Sequence, residues 1–249
     1  MKVFSSLLIL LCSVILLSGQ GEQGFNAGNA SYENKRYGDA IIAYNSVIND
    51  GKVSPELYHN LGNAYYQNKQ IGSAMLAYER GLKLDPSNAE IIHDRDFLKD
   101  VIESDIFEVP AFLPVRIWNA FCRFLPANVW VVLQFLGLIG IAGFLFVYWL
   151  RPPTMHPSWL SLLKNVSTVI VLIATLALLS TWYQDRSDTS AIMMEETILY
   201  TGADERSEEV GPIKAGEKVK VLELFNDWAR VQLLNLEEGF VLNENLEKI

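Results

Sequence analysis

The sequence predicts a multidomain membrane protein in which an α-helical solenoid, a two-helix transmembrane hairpin and a small all-β barrel follow one another. Three observations predict it: a 34-residue self-similarity between residues 21 and 88, two uncharged apolar runs between 124 and 184, and short strand-like stretches separated by turns in 189–249. A chain of 249 residues has room for two or three such parts. With 50% hydrophobic and 20% charged residues it is too apolar for an ordinary soluble enzyme and too charged for a polytopic transporter. The charge is uneven: 13 acids face 8 bases in 22–105, and 15 face 7 in 185–249. Residues 106–184 carry only Glu108, Arg116, Arg123, Arg151 and Lys164, so two acidic, water-facing modules flank a membrane-like middle. A net charge of -9 without a Lys/Arg cluster argues against nucleic acid as a partner, because phosphate neutralisation supplies most of that affinity. Two cysteines, Cys12 and Cys122, exclude a disulfide framework and a cysteine-based zinc site.

Residues 1–20 combine Lys2, an apolar run from Leu7 to Leu17 and small or polar residues after it, the pattern of a secretory signal peptide. Cleavage between Ser18 and Gly21 and retention as a signal anchor are both open. The self-similarity follows. Gly28-Asn29-Ala30 recurs as Gly62-Asn63-Ala64, and the same shift relates Tyr32 to Tyr66, Ala40 to Ala74 and Tyr44 to Tyr78. Thirty-four is the period of a helix pair that stacks on its neighbours. The second copy resembles the tetratricopeptide repeat (TPR) family through Tyr58, Leu61, Gly62, Tyr65, Ala74, Tyr78, Gly81 and Pro86. The expected domain spans 21–105, with repeats 21–54 and 55–88 and a cap helix presenting Ile91, Leu98 and Ile102 on its inner face. The first copy is degenerate, with Ala27 and Ser31 where larger residues are usual. TPR likeness implies a concave groove for peptide or protein segments, lined here by Phe25, Asn29, Tyr32, His59, Asn63, Tyr66 and Gln67. Their amides suit an extended backbone and their rings suit flat apolar contact. No Lys or Arg is expected in that groove.

Residues 106–127 predict an interfacial amphipathic helix, with Ile117, Trp118, Phe121 and Leu125 opposite Arg116, Asn119 and Arg123. Packing of this helix on the preceding module is the alternative. Transmembrane helices are expected at 128–150 and 165–184, each long enough to cross a ~30 Å core. Trp130, Tyr148, Trp149, Trp159, Trp182 and Tyr183 flank them as an aromatic belt would. The connecting loop, 151–164, is expected in the cytoplasm with Arg151 and Lys164. A hairpin puts the two flanking modules on one side, and the signal segment puts that side outside.

In 189–249 the runs 219–224, 228–233 and 239–241 read as strands joined at Asn226-Asp227 and at Asn235–Glu238. The order of Leu199-Tyr200, Gly216, Val219-Lys220-Val221, Asp227-Trp228, Val231 and Gly239-Phe240-Val241 resembles bacterial SH3 (SH3b) domains, with Tyr200, Trp228 and Phe240 as a candidate ligand surface. Gly19, Gly21 and Gly24 mimic a dinucleotide fingerprint, but no strand precedes them. His59, His93 and His156 make no metal set by local spacing, and Asp94, Asp96, Glu195 and Glu196 read as solvated acids. No nucleophile has a matched base, so the chain is read as not an enzyme, with no cofactor, metal or small-molecule substrate.

The order of signal peptide, TPR pair, hairpin and SH3b resembles the BatE family of the Bacteroides aerotolerance operon over the whole chain. That resemblance implies an inner-membrane, periplasm-facing protein acting beside other Bat proteins, some with von Willebrand-type domains, and a MoxR-type ATPase, in oxygen or stress tolerance and envelope function. The function expected is a membrane-anchored extracytoplasmic scaffold that binds protein or peptide partners through both modules, touching lipid through its middle. The alternative is a cell-wall or peptide sensor whose SH3b module detects an envelope ligand and relays through membrane partners.

Overall fold

A computed structural model describes residues 22–102, 112–150 and 158–249. The signal segment, the first part of the 106–127 stretch and residues 151–157 of the expected loop lie outside the described residues. The chain divides into two compact units, one holding the N-terminal helices with the C-terminal sheet, the other the helices between.

Among the described residues the first unit begins with five helices: α1 over 22–33, α2 Tyr37–Asn49, α3 Pro55–Gln67, α4 Ile71–Leu84 and α5 Ala89–Ile102. The caps explain the boundaries. Ser54 accepts the Leu57 N–H, with Pro55 preset at the first helical position. Asn88 Oδ1 accepts the Ile91 N–H at 3.1 Å and starts α5. Lys35 and Lys69, 34 residues apart, end α1 and α3 at φ 59° and 62°. Small residues at the crossings bring the helices close, and Ala40, Ala64 and Ala74 are wholly buried. On the cap helix α5, Ile91, Leu98 and Ile102 face inward and are buried.

Seven antiparallel strands follow: β1 Ser190–Met193, β2 Thr197–Tyr200, β3 Glu209–Ile213, β4 Lys218–Phe225, β5 Trp228–Gln232, β6 Glu238–Leu242 and β7 Leu246–Lys248. Their order is β3-β2-β6-β5-β4-β1-β7. Alternation buries Val219 and Val221 on β4, Ala229 and Val231 on β5 and Val241 on β6. These join Ala191, Met193, Leu199 and Ile213 in one apolar cluster. Asn226, at φ 48°, turns β4 into β5, as a short polar side chain allows. The expected barrel is an open sheet: β3 and β7 are its edges, and β2 meets β6 through one register pair, Tyr200 with Phe240.

The sheet docks on the helices. Ile192 of β1 is wholly buried in the cluster of Met75, Leu76, Tyr78, Ile91, Leu98 and Ile102. Gly72 lets the strand lie against α4, since a Cβ there would stand 2.6 Å from the Met194 carbonyl oxygen. Gly216, at φ +89°, brings the β3–β4 turn onto Ile102 and Ile71. Polar contacts ring this core. Glu79, buried on α4, accepts from Lys218 at 2.8 Å and lies 3.8 Å from Arg95. Arg80 donates to Glu247 and to the Lys248 carbonyl, each at 2.9 Å, and Lys83 to the Ile249 carbonyl at 2.9 Å.

The second unit holds α6 Leu113–Phe124, α7 Ala127–Leu150 and α8 Ser158–Ser187. Two stretches, Ala127–Leu150 and Trp159–Gln184, are long and apolar enough to cross a membrane. They pack through small residues: a Cβ on Gly140 would meet Ser167, and one on Gly137 would meet Val171. Gln134 donates to Thr175 at 3.2 Å across the same seam. α6 lies on α8, with Trp118 donating to Ser180 at 3.0 Å and Gln184 to Asn119 at 2.8 Å. Trp130 departs from the expected belt. It is 4% exposed and donates to the Cys122 carbonyl at 3.0 Å, pinning the turn between α6 and α7. Residues 158–164, expected in the loop, form the first two turns of α8.

Candidate functional site

The Gly-Asn pair of each repeat holds a tyrosine. A Cβ on Gly28 would lie 2.3 Å from the Tyr44 ring, and one on Gly62 2.4 Å from the Tyr78 ring, so each ring rests directly on helix backbone. Tyr44 then donates to Asn29 Oδ1 at 2.7 Å and Tyr78 to Asn63 Oδ1 at 2.6 Å. Burial pushes the Tyr44 phenol up to about 12, with Tyr32 adding to it and the Asn60 hydrogen bond opposing. Burial raises Tyr78 as well. Asn29 also accepts from Asn60 at 3.0 Å. The carbonyl oxygens of both groove asparagines are therefore engaged inside the repeats.

Next to Tyr78 the helices leave a cavity of about 270 Å³, lined by Tyr32 from α1, Asn63, Tyr66 and Gln67 from α3, Tyr78 from α4, and Asp94, Phe97 and Leu98 from α5. Four of the seven groove residues expected from the sequence thus share one site. Burial, with the charges of Tyr37 and Asp94 nearby, raises the Tyr32 phenol, against the Gln67 hydrogen bond. His59 stands beside the cavity through Asp94, its Nε2 donating to Oδ2 at 2.7 Å. Phe25 lies elsewhere. Its ring is 6.0 Å from Tyr44, and it lines a separate hollow of about 210 Å³ with Val47, Val53 and Leu57.

Asp94 and Phe97 are the residues that sequence reasoning missed. Asp94 was expected to be solvated, yet the stacking of α5 on α3 places it between His59 and His93, whose Nδ1 is 3.0 Å from Oδ1. Burial works against its ionisation, but the hydrogen bonds from His93 and His59 outweigh that and hold the carboxyl below its ordinary value. Phe97 meets Tyr66 edge to face at 5.9 Å and stays 50% exposed. Among the described residues no group of three metal-ligating side chains gathers.

On the sheet, Tyr200, Trp228 and Phe240 come together on the face opposite the apolar cluster. The rings of Tyr200 and Trp228 are 5.6 Å apart and nearly perpendicular. Phe240 packs at 5.9 Å on Phe225, a fourth aromatic not anticipated, which the Phe225–Trp228 register pair brings to the same edge. The Arg230–Glu238 ion pair, 2.6 Å long, borders the patch. The dock uses β1, β7, the β3–β4 turn and the start of β4, so the patch lies outside it, and of the buried residues in its apolar cluster the cavity shares only Tyr78 and Leu98.

Comparison with known proteins agrees with this architecture. The tetratricopeptide repeat family matches residues 55–88 and the bacterial SH3 domain family residues 195–247. The chain carries a TPR and an SH3b domain. A search of curated proteins returned no match. Among solved structures, the Arabidopsis OM64 TPR domain is 19% identical, with a TM-score of 0.33, covering 34% of this chain and 70% of that one. The first TPR of Spaghetti (RPAP3), bound to the HSP90 peptide SRMEEVD, is 19% identical, with a TM-score of 0.22, covering 35% of this chain and 96% of that one. At such scores neither likeness bears on what the groove holds.

Proposed function

We propose that this chain is a membrane-anchored extracytoplasmic scaffold at the inner membrane, holding protein or peptide segments in its TPR groove and on its SH3b aromatic face within a Bat-type envelope complex. The observation that carries this reading is the dock between α4, α5 and the sheet. It joins two interaction modules into one unit while the cavity and the aromatic patch stay open, which suits a body that keeps two segments at a fixed spacing. The dock also supports the two-pass topology, because modules that precede and follow the membrane helices can meet only on one side. The signal-like 1–20 segment favours the outer side, and Arg151 on the connecting stretch with Lys164 in the first turns of α8 favours a cytoplasmic loop. Exposed Phe112, Leu113 and Ile117 on or beside α6 support contact with the lipid interface.

The test is crosslinking and co-purification from detergent, comparing the wild type with Tyr66→Ala and with Trp228→Ala. Each variant should lose a subset of partners while membrane insertion persists. Equal recovery of the same partners by all three proteins would contradict the scaffold function.

A further inference from the structure

We infer that the groove accepts a lysine or arginine side chain from an extended protein segment; this rests on the scaffold function and specifies its ligand. The cavity of about 270 Å³ has room for one long side chain and a little backbone. Its walls are aromatic on three helices, Tyr32, Tyr66 and Phe97, with Tyr78 beside them. Asp94 is the one charged side chain among the lining residues, which include no Lys or Arg.

The three classes of ligand side chain fare differently there. A carboxylate would meet a like charge and ring faces that repel it. An aliphatic side chain would fill the space but strip water from the Asp94 acceptor positions that the two imidazoles leave open and offer no donor in return, which is costly. A cation satisfies both parts: its apolar stem lies over Phe97 and Leu98, its head reaches the carboxylate, and the tyrosine faces attract it. Asp94 can serve, because each oxygen accepts one imidazole contact, from His59 and from His93, and keeps a second acceptor position. Glu90, whose carboxylate is 3.9 Å from His59 Nδ1, adds negative charge nearby. Phe97, half exposed at the rim, is placed to close over the stem.

The experiment uses the full chain in detergent micelles at about 150 mM salt, where charges beyond ~8 Å are screened and the acidity of the whole protein contributes little. Fluorescein-labelled Ala/Ser nonapeptides that differ only in a central Lys, Arg, Leu or Glu are titrated by anisotropy. The Lys or Arg peptide should bind roughly tenfold tighter than the Glu peptide and several-fold tighter than the Leu peptide, as a charge-assisted contact implies. Asp94→Asn should erase the preference over Leu, and Phe97→Ala, at a half-exposed position, should weaken the cationic peptides several-fold with an unchanged helical signal. A Leu peptide that binds as well as Lys would overturn the cation preference while the scaffold function survives. Tightest binding by Glu, or no binding by any peptide, would overturn it too; partner recovery in the co-purification then decides the scaffold function separately.

Discussion

Helices α2 and α4 occupy the same place in successive repeats and hold the same tyrosine, yet α2 buries three residues and α4 eight. The 34-residue shift makes the contrast specific. Ile42 is 70% exposed and its counterpart Leu76 is 4% exposed. Gly38 has open space around it, whereas Gly72 carries the backbone of Met193 and Met194. Asn45, Ser46 and Asn49 stand where α4 has Glu79, Arg80 and Lys83, the three polar residues that α4 brings to the dock. The repeat therefore encodes its inner face, the Gly-Asn-Tyr contact, in both copies. The outer face diverges because α4, unlike α2, has α5 and the sheet to cover it, which is why it is buried nearly all round.

The largest expected effect comes from breaking the cover. Ile192→Asp puts an unpartnered charge among Met75, Leu76 and Tyr78, and should cost about 4 kcal/mol or more, with the helical and sheet signals melting separately in micelles. Next, matched alanines at equivalent glycines should act in opposite directions. Gly72→Ala drives a methyl into strand backbone and should cost about 2 kcal/mol, while Gly38→Ala, in open space, should stabilise α2 by up to about 0.5 kcal/mol. Equal losses at the two sites would mean that the difference between α2 and α4 is not set by the dock.

The inner face, shared by both repeats, has a pH signature. The Tyr44 phenol is neutral and buried, its pKa raised from 10 to about 12. A raised folded-state pKa means stability that is complete below pH 10 and is lost as pH rises toward 12. Melting temperature should fall across that window, and Tyr44→Phe should flatten the fall after a uniform loss of about 1 kcal/mol for the hydrogen bond to Asn29. The smallest effect tests the helix ends: Lys69→Gly relieves a left-handed residue at φ 62° and should stabilise by about 0.5–1 kcal/mol in a denaturant melt.

Periodicity made much of this architecture legible. The 34-residue shift located the helix pairs, the uncharged runs located α7 and α8, and Asn226-Asp227 located the β4–β5 turn. The dock was not legible, because Gly72, Glu79 and Ile192 each look ordinary in their own element and meet only across more than a hundred residues of chain. Asp94 read as solvated for the same reason, since its partner His59 is 35 residues away and only helix stacking joins them. Phe97 was hidden by the face chosen for the cap helix, where Ile91, Leu98 and Ile102 already satisfied the period. Strand pattern alone also predicted a closed barrel where the sheet is open, because closure depends on pairing rather than on alternation.

The dock between the two modules holds both interaction surfaces in one body, and a double-mutant cycle on Glu79 and Lys218 tests it most directly. These side chains are 2.8 Å apart and belong to α4 and β4. Denaturant melts of the full chain in micelles with Glu79→Gln, Lys218→Met and both together should give a coupling energy of about 1–3 kcal/mol, as for a charge-assisted hydrogen bond at a largely buried acid. Strictly additive effects would contradict the dock, and with it the single body that holds both interaction surfaces.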